Sequence, residues 1–168
     1  GIPLLAPDSA NQIDLTIDGT DEVDGRFRLI KGGGGCLLRE KIVAAASRAM
    51  TVIADGSKLV DRLGAFPLPV EVDPFWHGAT ARHVAAALEG TGCAGWTTSL
   101  RTRKGAAEPF VTDGGNYIVD CECGVIPNPE ETAAALCRIP GVVDHGLFLD
   151  LATTVILGCD GGVDIRRR

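Results

Sequence analysis

The sequence has no apolar run near the ~20 residues that a membrane-spanning helix needs, and no signal peptide is visible. It starts Gly1-Ile2-Pro3-Leu4, without a Met. Its only basic block is Arg166-Arg167-Arg168 and its formal charge is −6, so nothing in it favours nucleic acid or a membrane as a partner. The arginine run is expected to be a solvated tail. The three histidines, His77, His83 and His145, form no HExxH or other ligand pattern. The six cysteines, Cys36, Cys93, Cys121, Cys123, Cys137 and Cys159, lack the spacing of a dense disulfide framework or of paired CxxC zinc ligands. All six read as reduced thiols in a reducing compartment, and the chain is expected to be cytoplasmic. Internal repeats and low-complexity segments are absent. What remains is an ordinary globular composition, 45% hydrophobic and 23% charged over 168 residues. A compact chain of this length can bury about two-thirds of its unfolded surface.

Ile13, Leu15 and Ile17 alternate with polar residues, which predicts a strand running into Asp18. Asp24-Gly25 is a turn signal, and Phe27 to Ile30 reads as a second short strand ending at Lys31. Leu37 to Met50 holds no Gly or Pro and predicts a buried helix. Thr51 to Ala54 is a continuous apolar run, expected as a central parallel strand covered on both faces. Pro67 and Pro69 mark a boundary. Beyond it come a strand from Val70, a helix over His77 to Leu88, strands over Thr97 to Arg103 and Pro109 to Thr112, and a turn at Asp113-Gly114-Gly115-Asn116. A strand over Tyr117 to Cys123 and a helix over Pro129 to Cys137 follow. The β-α-β-β-α-β order predicts a ferredoxin-like insert over 68–142. Leu147 to Leu149 and Val155 to Leu157 are expected to rejoin the first sheet.

The chemistry concentrates in Asp18-Gly19-Thr20-Asp21-Glu22, Lys31-Gly32-Gly33-Gly34-Gly35 and Arg39-Glu40-Lys41. Ligands of open α/β sheets sit beyond the carboxyl ends of strands, where Asp18, Lys31 and Asp55 all fall. Four consecutive glycines read either as a flexible turn or, between a strand and a helix, as backbone donors aimed at an anion. The run is no Walker A loop, because its Lys precedes the glycines. Glu40, in a first helical turn, reads either as a partner of the helix dipole or as a base for a proton on carbon beside a carbonyl. Asp18 and Asp21 read as an acidic turn or as site acids. An EF-hand loop is set aside, because its twelfth position counted from Asp18 is Leu29.

These stretches resemble ribose-5-phosphate isomerase, type A. The resemblance extends through Ile53-Ala54-Asp55-Gly56-Ser57-Lys58, Phe66-Pro67-Leu68-Pro69-Val70-Glu71, Val111-Thr112-Asp113-Gly114-Gly115-Asn116 and Ile139-Pro140-Gly141-Val142-Val143-Asp144-His145-Gly146-Leu147-Phe148. It implies an α/β fold: a three-layer Rossmann-like sheet domain over 1–67 and 143–168, with an inserted ferredoxin-like α/β lid domain over 68–142. It implies an aldose–ketose isomerase of the pentose phosphate pathway, interconverting D-ribose 5-phosphate and D-ribulose 5-phosphate through an enediolate without metal or organic cofactor. Glu40 then matches the catalytic base, Asp18 and Asp21 the site acids, and Lys31 the lysine that supports the oxyanion. Gly32, Gly33 and Gly34 match backbone donors to substrate, and Lys58 a lysine of the phosphate region. A homodimer or homotetramer is implied. The family's N-terminal segment, with a first strand and a phosphate-gripping loop, is expected to be missing here.

Other readings stand beside this one. The Lys31 to Glu40 block argues against a related sugar-phosphate deaminase or lactonase on a similar fold. A non-catalytic sugar-phosphate sensor of a transcription regulator would need a DNA-binding module. A truncated isomerase would keep the core without turnover.

Overall fold

The computed structural model describes residues 2–10 and 12–168. The alternating apolar residues after Gln12 form strand β1 (Ile13–Asp18), followed by β2 (Glu22–Asp24) and β3 (Leu29–Ile30). Helix α1 (Leu37–Ala46) runs directly into β4 (Ser47–Asp55), and a 3₁₀ turn (Gly56–Lys58) leads to β5 (Leu59–Val60). The second half contains β6 (Leu68–Val72), α2 (His77–Gly90), β7 (Thr97–Leu100), β8 (Tyr117–Glu122), α3 (Pro129–Leu136) and β9 (Val142–His145). The chain closes with β10 (Leu147–Phe148), β11 (Thr154–Cys159) and β12 (Gly162–Arg167).

These strands make three sheets, ordered β1-β4-β11-β12, β10-β3-β2-β5 and β7-β8-β6-β9. β4 is parallel to both β1 and β11, so three carboxyl ends share one rim of the first sheet. Met50 and Val52 of β4 and Val155 and Leu157 of β11 pack with Leu37 and Ala44 of α1 in one core, alongside Val23, Leu29 and Phe148. The third sheet is antiparallel throughout, and its order is that of a split β-α-β pair. Its own core gathers Val70, Val84, Leu88, Val119 and Leu136, and reaches Ile30, Leu63 and Leu147. No helix among the described residues is long and apolar enough to cross a membrane.

Several elements differ from the sequence expectations. The helix expected to reach Met50 ends at Ala46. Ser47 pairs with Ile13, and its hydroxyl bonds Val43 O and Thr16 Oγ1, so sheet pairing overrides the helical preference of the alanine run. The strand expected from Phe27 starts only at Leu29, because Asp24 Oδ1 accepts from the N–H groups of Arg26 and Arg28 and forces a turn, with Phe27 at φ 64°. Pro109 to Thr112 forms no strand; only Pro109 bridges Thr102. β10 does not join the first sheet. It pairs with β3 in the small second sheet, and β11 alone returns to β4. Arg166-Arg167-Arg168 is no tail: Arg166 and Arg167 sit in β12 against β11, and Arg168 pairs with Asp150. β4 is covered on one face only, since Leu15, Ile17, Ile53 and Ile165 remain about half exposed.

Candidate active site

β1 ends at Asp18, and the carboxylate accepts from the next N–H, that of Gly19, at 2.7 Å. β3 delivers Lys31 from the opposite side. Its N–H donates to Gly146 O, which ties the lysine to the β9–β10 junction. The Lys31 side chain is 4% exposed, and its ammonium contacts Asp18 Oδ2 at 2.9 Å, Gly19 O at 2.7 Å and Glu40 Oε2 at 3.3 Å. A nearly buried ammonium is tolerated only when it is paired in this way. The Phe148 ring lies 5.6 Å from the same nitrogen and closes off the core side.

Glu40 projects from the first turn of α1. Its Oε2 is buried, and the approach of Lys31 lacks hydrogen-bond geometry, so that oxygen accepts from no donor. Burial pushes the Glu40 carboxyl above the ordinary glutamate value; the Lys31 ammonium opposes this, and the nearby Asp18 and Asp21 charges add to it. The sequence left that balance open. In the structure, desolvation outweighs the lysine.

Asp21 serves the glycine loop. Its Oδ2 accepts from Gly33 N–H at 2.8 Å, so close that a β-carbon at position 33 would fall 2.7 Å from Asp21 Oδ1. Gly35 N–H donates to Gly32 O and closes the loop as a tight turn, with Gly35 at φ +86°. Gly34 N–H has no protein acceptor among the described residues. Asp18, Gly19, Thr20, Asp21, Lys31, Gly32, Gly33, Gly34 and Glu40 together line an open cleft of about 200 Å³. A larger hollow of about 590 Å³ lies apart, beside Phe75, Trp76 and Pro140, and holds no comparable array of opposed charges.

Seven of the eight residues singled out in the sequence therefore meet at one cleft. Lys58 does not line it; it sits half-buried on the 3₁₀ turn after β4. Two further contributors were not picked out. Thr20 Oγ1 donates to Glu22 O and Ile30 O, joining the Asp18 turn to β3. Gly19 supplies a carbonyl to Lys31. Their place inside the Asp18 to Glu22 motif was the only signal. Glu22, though adjacent to Asp21, points away and accepts from the N–H groups of Gly64 and Phe66.

A carboxylate with a raised proton affinity, an ammonium 3.3 Å away and a free peptide N–H can move a proton on carbon while an adjacent oxygen becomes charged. The sequence matches the family of ribose 5-phosphate isomerase A (phosphoriboisomerase A) over residues 1–162. The chain belongs to this family. Ribose-5-phosphate isomerase A of Parvibaculum lavamentivorans is 56% identical over 165 residues, covering 98% of this chain and 71% of the relative. That of Maricaulis maris is 57% identical over 161 residues, covering 96% and 69%. Among solved structures, ribose 5-phosphate isomerase A from Neisseria gonorrhoeae superposes with a TM-score of 0.86 at 36% identity, covering 99% of this chain and 69% of that one. The Plasmodium falciparum enzyme gives 0.85, also at 36%, covering 94% and 67%. The chain is thus shorter than its relatives. They are named as isomerases, which supports an isomerase here over a non-catalytic sugar-phosphate-binding domain.

Proposed function

We propose that Glu40 is the base in interconversion of D-ribose 5-phosphate and D-ribulose 5-phosphate by this chain. Glu40 takes the C2 proton of the open-chain aldose, and the electron pair moves onto O1 to give an enediolate. The same carboxyl returns the proton to C1 while O2 becomes the ketone. Lys31 and the Gly34 N–H hold the charge that develops on oxygen, and Asp18 and Asp21 assist ring opening and proton transfer at the hydroxyls. Gly32 and Gly33 shape the loop, and Lys58 serves the phosphate end of the substrate. The observation that carries this reading is the buried Glu40 Oε2, without a donor, beside the Lys31 ammonium.

The test is isomerisation in deuterated water. Incorporation of solvent deuterium at C1 of the ketose is expected from an enediolate. A direct hydride shift would retain the original hydrogen and overturn the mechanism. One solved relative is described in complex with phospho-erythronic acid. A carboxylate on that four-carbon phosphate mimics the paired oxygens of an enediolate, so it is expected to inhibit competitively.

We also propose that 68–142 acts as a lid over a catalytic domain formed by 1–67 and 143–168. The antiparallel third sheet, with a core drawn mostly from 68–142, supports this division. A cytoplasmic location is supported by the six unpaired thiols. A homodimer or homotetramer is supported by the exposure of Phe75 and Trp76, at 84% and 72%. Light scattering in solution tests the assembly.

A further inference from the structure

Arg101 reaches from the end of β7 to the glycine loop. Its side chain is 14% exposed and is held in a fork by Asp120 of β8, with Nε donating to Oδ2 at 2.9 Å and Nη2 donating to Oδ1. The Phe110 ring lies 6.0 Å from its Cζ, and the same ring packs onto Gly35, where a β-carbon would fall 2.4 Å from Phe110 Cζ. The remaining nitrogen, Nη1, donates to Gly32 O at 2.8 Å and to Gly33 O at 3.2 Å. Nothing else in the 68–142 segment donates a side-chain hydrogen bond to these glycines among the described residues.

We propose that Arg101 is a positioning residue, which fixes the peptide planes between Gly32 and Gly34 so that the Gly34 N–H stays unpaired at the cleft. All the peptide bonds here are trans, so each N–H points opposite to its carbonyl. The peptide between Gly32 and Gly33 is clamped at both ends, its carbonyl on Arg101 and its N–H on Asp21 Oδ2. The next peptide is clamped at its carbonyl alone, which turns the Gly34 N–H away from Arg101 and leaves it unpaired. Glycine peptides flip at little steric cost. Without the guanidinium, the Gly33 carbonyl is free to rotate into the cleft and replace a donor with a partial negative charge. That loss falls on the charged transition state, so it lowers kcat more than it raises KM. Asp120 and Phe110 act through Arg101, because they aim its fork. A lysine lacks the second arm of that fork and cannot hold Asp120 and both carbonyls together.

This inference rests on the isomerase reading for its kinetic arm, so the experiment has a second arm that needs no turnover. Arg101→Met and Arg101→Lys are compared with the parent protein. One arm measures kcat and KM for ribose 5-phosphate. The other reads the glycine loop by NMR of glycine-labelled protein without substrate: hydrogen exchange at Gly33 and the amide signal of Gly34, whose peptide carries the Gly33 carbonyl. Loss of one oxyanion donor costs roughly 10²–10³ in kcat, and loosening the loop is expected to cost a smaller, roughly 10–100-fold, share of it. Arg101→Met should show that fall chiefly in kcat, together with faster Gly33 exchange. Arg101→Lys should recover part of both. Thermal unfolding identifies variants that have lost the fold; if Arg101→Met is lost, Asp120→Asn, which keeps one acceptor for the fork, is expected to show the same changes at smaller size. Gly33 exchange and a Gly34 amide signal both unchanged in a folded Arg101 variant overturn the proposal whatever the kinetics. Faster exchange with kcat unchanged also overturns it, since the loop would then be loosened without consequence. Absence of isomerase activity in the parent would instead refute the function, and the exchange arm would still report on Arg101.

Discussion

Glu40 Oε2 lies 3.3 Å from Lys31 Nζ and yet accepts no hydrogen bond from it. The ammonium directs a hydrogen bond to Gly19 O, and Asp18 Oδ2 is its nearer ion-pair partner at 2.9 Å. Glu40 is therefore close enough to share in the lysine's field but not neutralised by it. A base poised in this way can take a proton without first breaking a strong bond, and the ammonium stays available to an oxygen of the substrate.

Glu40→Gln keeps the shape and removes the proton acceptor. General base catalysis is typically worth 10²–10⁴-fold, so turnover is expected to fall by roughly that factor, about 3–5 kcal/mol of barrier. KM should change little. Steady-state kinetics on the variant, with circular dichroism to confirm the fold, checks this. Near-parental turnover would remove Glu40 from the mechanism.

As the proposed base, Glu40 with its raised proton affinity is expected to set the acid side of the pH profile. Burial is the largest cause, and the Asp18 charge adds to it. The rate should fall as pH drops through a value above that of an ordinary glutamate. Asp18→Asn removes one raising charge, so the acid limb of kcat/KM should shift to lower pH, even though the overall rate drops. The stability effect has the opposite sense. The ionised Glu40 is disfavoured in the folded state, so its cost is absent below the unfolded-state value and complete above the raised one. Glu40→Gln should therefore raise the melting temperature at neutral pH, and the gain should vanish near pH 4 and below. A gain that persists unchanged at pH 3 would point to a cause other than ionisation.

The cleft was legible because its residues lie in three short motifs, and each motif ends a strand or begins a helix. The Ile13 to Ile17 alternation placed Asp18 at a rim, and the glycine run placed Lys31 opposite it. The boundary between α1 and β4 was not legible, since Ala44-Ala45-Ala46 suits a helix and only the pairing of Ser47 with Ile13 ends it. The β12 strand was hidden because its arginines read as solvent-seeking, whereas backbone pairing with β11 decides their place. Arg101 was invisible for a different reason. Its partners, Gly32 and Gly33, are 68 to 69 positions away in sequence, and no local pattern announces such a contact.

Gly33→Ala tests the fit between the glycine loop and Asp21. The added carbon would stand 2.7 Å from Asp21 Oδ1 and 3.0 Å from Phe66 Cζ. One of those side chains must move, at a cost of about 1–3 kcal/mol for overpacking. Displacing Asp21 releases the Gly33 N–H and disturbs the donors beside it. Turnover is expected to fall at least tenfold, about 1.4 kcal/mol, with a smaller loss of stability. Full activity would show that the loop has room the structure does not suggest.

The enediolate chemistry should not depend on a divalent ion. The place between Asp18 and Glu40, where a cation would balance the carboxylates, is filled by the Lys31 ammonium. Dialysis against EDTA is expected to leave the rate within about twofold of untreated protein, a change of roughly 0.4 kcal/mol. Loss with EDTA and recovery with Mg²⁺ or Mn²⁺ would mean that Asp18 and Asp21 hold a metal during turnover.

Glu22 separates folding from catalysis within one motif. It follows Asp21 directly, but its carboxylate is 4% exposed and faces the chain after β5, accepting from Gly64 N–H at 2.7 Å and Phe66 N–H at 2.6 Å. Glu22→Ala strands both donors in a site closed to water. Each unsatisfied donor costs about 1–3 kcal/mol, so a total of roughly 2–6 kcal/mol is expected for the two. For a chain of this size each kcal/mol lowers the melting temperature by about 2–4 °C, which predicts a drop on the order of 4–24 °C. Turnover per folded molecule, measured well below the transition, should fall by less than about threefold, because the side chain points away from the cleft. A loss of turnover at unchanged melting temperature would show the reverse: that Glu22 acts on the substrate side of its strand and the Gly64–Phe66 segment holds itself in place without it.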